Sequence, residues 1–101
     1  TTRQSFTMKD LVVDPLAREV MRGDEQIALT AKEFDLLCYL LRNRNVVLTR
    51  EQIIEHVWGY TYTGDTNVVD VYIRYIRQKI DRPDAPSYIE TVRGVGYVMK
   101  D

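Results

Sequence analysis

A single cysteine, a single histidine and the lack of any long apolar run set the first limits on this sequence. Cys38 has no second thiol to pair with inside the chain. It stands among Leu36, Leu37, Leu40 and Leu41, so it reads as a small buried hydrophobe and not as a reactive group. His56 has no Cys/His cluster at metal-ligand spacing around it and no plausible nucleophile beside it, which argues against a metal centre and against nucleophilic catalysis. "GVG" at 94–96 lacks the third glycine and the following helix of a dinucleotide-binding loop. No enzyme and no cofactor are expected. No stretch nears the roughly 18 apolar residues of a membrane span, and no charged-then-apolar leader opens the chain, so a cytoplasmic protein without membrane contact is expected. Excess positive charge is missing as well, since 14 Lys/Arg face 15 Asp/Glu. Residues 1–65 hold 8 and 10 of these, and residues 66–101 hold 6 and 5, so any nucleic-acid reading must rest on where the cations point.

What is present suits one domain with one core: 101 residues, 45% hydrophobic and 29% charged. The chain opens on Thr1 and not on Met, which suggests a piece of something longer. Residues 5–29 are too short-paced and too β-branched for helices, with Asp14-Pro15 and Gly23-Asp24 as turns. Strands are expected near 5–8, 11–14, 19–22 and 26–29, as a small antiparallel sheet. Thr30 with Glu33 has the spacing of a capping box, and Phe34, Leu37, Cys38 and Leu41 give the helix behind it a core-facing stripe ending near Asn43. "VVL" at 46–48 is a candidate short strand. Thr49 with Gln52 repeats the capping-box spacing, and Ile53, Ile54, Val57 and Trp58 face a second helix inward until Gly59 stops it. After the loop "GYTYTGD", Asp65 or Thr66 is placed to cap a third helix over 66–81. "YIETV" and "YVM" on either side of "RGVG" make a hairpin.

The third helix carries two opposed faces. At helical pitch Val69, Ile73, Ile76 and Ile80 fall within about 60° of one another and form the buried stripe. Asn67, Val71, Arg74 and Gln78 share the opposite arc, with Tyr75 and Arg77 on its flanks. Those are groups that read base edges: Arg for guanine, Asn or Gln for adenine, a small apolar side chain for the thymine methyl. A length of about 21 Å suits a major groove. Asp70, at the edge of the face, would repel phosphate, and its expected task is to hold a neighbouring Arg or to cap the helix start. Thr49 and Arg50 at the start of the second helix are placed to serve a phosphate through backbone N–H groups. Arg93 at the hairpin tip completes the pattern. The expected fold is α+β: a winged helix-turn-helix with an N-terminal four-stranded antiparallel sheet, three helices and a C-terminal β-hairpin wing, one domain over residues 1–101.

Four motifs in order, "LTAKEFDLLCYLL", "TREQIIEHVWG", "NVVDVYIRYIRQKID" and "YIETVRGVGYVM", resemble the effector domains of OmpR/PhoB-type response regulators from about residue 5 to residue 100. The resemblance implies an output domain that follows a phosphorylatable receiver domain, itself outside this chain and served by a sensor histidine kinase. It implies paired copies on direct-repeat half-sites of double-stranded promoter DNA. By the same resemblance Asn67, Val71, Tyr72, Arg74, Tyr75 and Arg77 meet DNA, and Thr91 and Arg93 supply backbone and minor-groove contacts from the wing. Trp58 matches the family's Trp after the second helix. The loop 59–66, with Tyr60, Tyr62 and Asp65, corresponds to the segment that touches RNA polymerase. Tyr75 and Asn67 stand where some relatives carry Arg, so base preference does not transfer from any one member. The acidic balance predicts modest affinity for the domain alone.

The alternative is a winged helix used only for protein–protein contacts. It calls for an apolar or acidic third-helix face and a wing without a cation, and Arg74, Arg77 and Arg93 point the other way.

Overall fold

Short β-branched stretches between tight turns build the N-terminal third of the chain. In the computed structural model, which describes residues 5–101, β1 (Phe6–Met8), β2 (Leu11–Asp14), β3 (Glu19–Arg22) and β4 (Glu25–Ile27) pair in sequence order as an antiparallel meander. Met8, Leu11, Val13 and Val20 are buried while Val12 and Glu19 are exposed, the period of two that one covered face demands. The β2–β3 turn is held by Asp14, whose carboxylate accepts from the backbone N–H groups of Leu16 and Ala17 at 3.0 and 3.2 Å. Gly23, at φ 60°, makes the β3–β4 turn. The fourth strand lies one residue earlier and ends two residues sooner than the expected 26–29, because pairing with β3 stops at Ile27 opposite Val20.

Helix α1 (Ala31–Arg42) starts at the expected capping box: Glu33 N–H donates to Thr30 Oγ1 at 3.3 Å and Thr30 N–H donates to Glu33 Oε1 at 2.9 Å. Thr49 and Gln52 do the same for α2 (Arg50–Val57), at 3.1 and 2.9 Å. That helix stops where Trp58 and Gly59 both donate to the Ile54 carbonyl, with Gly59 at φ 99°. Helix α3 (Asn67–Ile80) departs from expectation at its start. Thr66 already has helical angles, φ −68° and ψ −17°, and neither it nor Asp65 places a side chain on the first-turn N–H groups. Instead the Tyr62 hydroxyl donates to the Asp65 carbonyl at 3.0 Å and shapes the entry.

The second sheet has the order β5-β7-β6, from β5 (Leu48–Thr49), β6 (Glu90–Val92) and β7 (Gly96–Val98). The short strand falls at 48–49 and not at 46–48. Leu48 pairs with Tyr97 and Thr49 with Gly96, while Val46 and Val47 stay exposed outside the ladder.

The core lies between these layers. All four residues of the α3 stripe are buried, and they pack with Leu36, Leu37, Leu40 and Leu41 of α1 and Ile53 of α2. Each such side chain contributes about 1.5–3 kcal/mol on burial. Cys38 is buried among them, and burial pushes its thiol up from the ordinary value. Polar ties then fix the C-terminal end of α3 relative to other layers. Lys79 Nζ donates to Glu33 Oε1 at 2.6 Å. Arg22 of β3 donates to the carbonyls of Ile80 and Asp81, at 2.8 and 3.1 Å, and so closes the C-terminal end of α3.

Candidate nucleic-acid interface

With one face of α3 committed to the core, the opposite face points out. Asn67, Arg74, Tyr75 and Gln78 are exposed, and Val71, Tyr72 and Arg77 are half-buried. Tyr72 leans inward. Its ring meets Trp58 edge-on at 5.1 Å and Tyr75 at 6.0 Å. Arg74 lies over the Tyr75 ring, 5.9 Å from its centre, with its guanidinium in solvent. Trp58 itself is half-buried against the core, and Tyr62 packs on it at 6.2 Å. His56 stacks on Tyr39 at 4.0 Å, a packing role.

The wing tip is the turn 93–95, closed by Val95 N–H to the Val92 carbonyl at 3.0 Å, with Gly94 at φ 76°. Arg93 is exposed on it and makes no hydrogen bond or ion pair among the described residues. Asp70 holds an arginine as expected, and it is the one at the start of α2. Its Oδ1 accepts from Arg50 Nε at 2.9 Å and from the Tyr97 hydroxyl. The bond that Arg50 donates to Asp70 holds the Arg50 pKa above its ordinary value. Burial, and then the same carboxylate, raises that of Tyr97.

Arg77, expected on the flank of the outward face, and Thr91, expected as a contact from the wing, are brought together. Arg77 Nη2 donates to Thr91 Oγ1 at 2.8 Å and to the Ile89 carbonyl at 2.7 Å, so this arginine ties α3 to the wing. The loop residues Tyr60 and Asp65 are exposed, Tyr60 at 86%, and they lie between the end of α2 and the entry of α3. Sequence reasoning gave Asp70 an arginine partner without naming Arg50, and it did not find the Tyr97 hydroxyl, since both partners are distant in sequence. Among the described residues no group of three or more His, Cys, Asp or Glu side chains is placed to hold a metal ion, and no helix is long and apolar enough to cross a membrane.

A three-helix core, an outward-facing third helix and a hairpin carrying an exposed cation define a winged helix-turn-helix domain of the gene-regulatory type. The chain belongs to the family described as "Transcriptional regulatory protein, C terminal", which matches residues 24–99, and within it to the OmpR/PhoB-type effector domains. It is 58% identical over 95 residues to the transcriptional regulatory protein YkoG of Bacillus subtilis, covering 94% of this chain and 42% of YkoG. It is 46% identical over 97 residues to the response regulator MprA of Mycolicibacterium vanbaalenii, covering 96% and 42%. The solved DNA-binding domain of Klebsiella pneumoniae RstA, in complex with the RstA box, superposes with a TM-score of 0.85 at 34% identity, covering 96% of this chain and 97% of that one. The Thermotoga maritima OmpR/PhoB homolog DrrB superposes with 0.85 at 36% identity, covering 96% and 44%. The chain thus spans about 42% of the length of these curated relatives.

Proposed function

We propose that this domain is the sequence-specific, double-stranded-DNA-binding output module of a two-component response regulator, acting in the cytoplasm. In this reading α3 lies in the major groove. Asn67, Val71 and Arg74 face base edges, Tyr72 and Tyr75 flank them, and the wing brings Arg93 into the adjacent minor groove. Arg77 and Thr91 meet the sugar-phosphate backbone while holding each other. The observation that carries the reading is that Arg74 and Arg93, on two different elements, both stand in solvent without an ion-pair partner among the described residues. A guanidinium that is charged, exposed and unpaired is ready for guanine or phosphate. A module built only for protein contacts has no need of both, and the acidic or apolar third-helix face it calls for is absent.

In the longer protein a receiver domain precedes this one, and a sensor histidine kinase acts on that receiver. Two copies occupy direct-repeat half-sites, and the exposed loop 59–66, with Tyr60, Tyr62 and Asp65, faces RNA polymerase. Selection of bound sequences from random duplex DNA, followed by titration on a single half-site, a direct repeat and a scrambled duplex, tests the core of this. Tightest binding to a direct repeat spaced about one helical turn is expected. Equal affinity for all three duplexes would refute specific recognition.

A further inference from the structure

Asp70 is the one acidic residue within α3, and it sits beside the face that the proposed complex turns toward DNA. A free carboxylate there would repel the phosphate backbone. The structure shows that it is not free: one oxygen serves both Arg50 Nε and the Tyr97 hydroxyl. Arg50 also lies over the Tyr97 ring, 5.5 Å from its centre, and Arg77 lies 5.7 Å from the same centre while it bonds Ile89 and Thr91. Tyr97 is on β7, Thr91 on β6, Arg50 on α2, and Asp70 and Arg77 on α3. Side chains along one seam therefore join every element of the DNA-facing surface. The backbone ladders of the wing run only among β5, β6 and β7, and they leave its tilt toward α3 to this seam and to core packing.

We propose that Asp70 and Tyr97 are positioning residues for DNA binding: the carboxylate, neutralised by Arg50, anchors the Tyr97 hydroxyl and fixes the wing relative to the reading helix so that both enter their grooves together. This rests on the proposal that α3 and Arg93 engage DNA at once. It makes a prediction opposite in sign to simple charge repulsion. If Asp70 were only a carboxylate near phosphate, neutralising it would tighten binding. If it positions the wing, neutralising it loosens binding.

The test uses a fluorescein-labelled duplex selected by the wild-type domain, read by anisotropy, together with thermal melting. Asp70→Asn keeps a hydrogen-bond acceptor and Tyr97→Phe keeps the buried ring, so the two variants carry the test independently. Each is expected to weaken binding by about 3- to 10-fold with melting close to wild type. In an Arg93→Ala background, where the wing contact is already gone, Tyr97→Phe is expected to weaken binding by less than about 2-fold. Unchanged or tighter binding by Asp70→Asn overturns the proposal. So does an equal loss from Tyr97→Phe in both backgrounds, which would mark a general structural role. If Arg93→Ala alone leaves affinity untouched, the wing reading itself falls and this proposal with it.

Discussion

Lys79, near the end of the reading helix, and Glu33, in the first turn of α1, form an ion pair at 2.6 Å in which Glu33 is only 3% exposed. Burial pushes the Glu33 carboxyl up, but the bonds from Lys79 and from the Thr30 backbone N–H outweigh it and hold the group below its ordinary value. A carboxylate whose pKa is lowered by folding stabilises the native state above its unfolded pKa, and that contribution is lost as pH falls toward the folded one. The domain is therefore expected to lose stability below about pH 4.3, the ordinary glutamate value. Glu33→Gln should flatten that part of the curve and cost about 1–3 kcal/mol at neutral pH. Urea melts across pH 3–7 check it, and an unchanged acid limb in the variant would remove Glu33 from the account.

Gly96 and Gly94 give a paired test of the wing. A Cβ on Gly96 would lie 1.9 Å from the Leu48 carbonyl oxygen, so Gly96→Ala should force β7 off β5 and destabilise by about 2 kcal/mol or more. Gly94 has open space but φ 76°, so Gly94→Ala should cost only about 1 kcal/mol of backbone strain. Melting temperatures decide, and a reversed order would contradict the β5–β7 register.

Arg74 and Arg77 should behave differently although both are α3 arginines. Arg74→Ala should leave melting unchanged, cost about 1–3 kcal/mol in binding and relax preference at one or two base positions. Arg77→Ala removes the bonds to Thr91 and Ile89, so it should lower stability by about 1–2 kcal/mol and weaken all sequences alike. Identical specificity profiles for the two variants would show the wrong face of α3 in the groove.

Arg93→Ala should lose more affinity on sites with A·T-rich flanks than on G·C-rich ones, because a narrow minor groove concentrates negative potential around an inserted cation. With no partner for Arg93 among the described residues, melting should not change. A loss independent of flanking sequence would place Arg93 on phosphate instead.

Tyr60→Ala, at the most exposed aromatic, should spare DNA affinity and lower transcription from a dependent promoter. Activity that tracks affinity across loop variants would reduce residues 59–66 to a connector.

Local chemistry made most of this fold readable. The two capping boxes, the Val69/Ile73/Ile76/Ile80 stripe and the Gly59 stop depend on neighbours within about one or two helical turns, and all three appear as expected. Features set by distant partners did not show. The two-residue strand β5 exists only because β7 pairs with it, so apolar Val46 and Val47 were misleading guides. The start of α3 did not show either, although its contact is local: the Tyr62 hydroxyl donates to the Asp65 carbonyl three residues on, and Thr66 makes no side-chain cap. Within the interface the outward arc was legible from periodicity, whereas the Arg77–Thr91 and Asp70–Tyr97 bonds join residues 14 and 27 positions apart and leave no local trace.

The family match begins at residue 24, yet two ties to α3 and its exit lie before that point. Arg22 caps the last carbonyls of the helix, and Asp10 binds Arg82 at 2.6 Å and the Tyr88 hydroxyl, beyond the helix end. A truncation at residue 24 would therefore keep every residue proposed to meet DNA and still remove these ties at the exit of the helix that presents them. The meander thus acts as a clamp on the exit of α3, and a fragment that is to keep this clamp must reach back at least to Asp10.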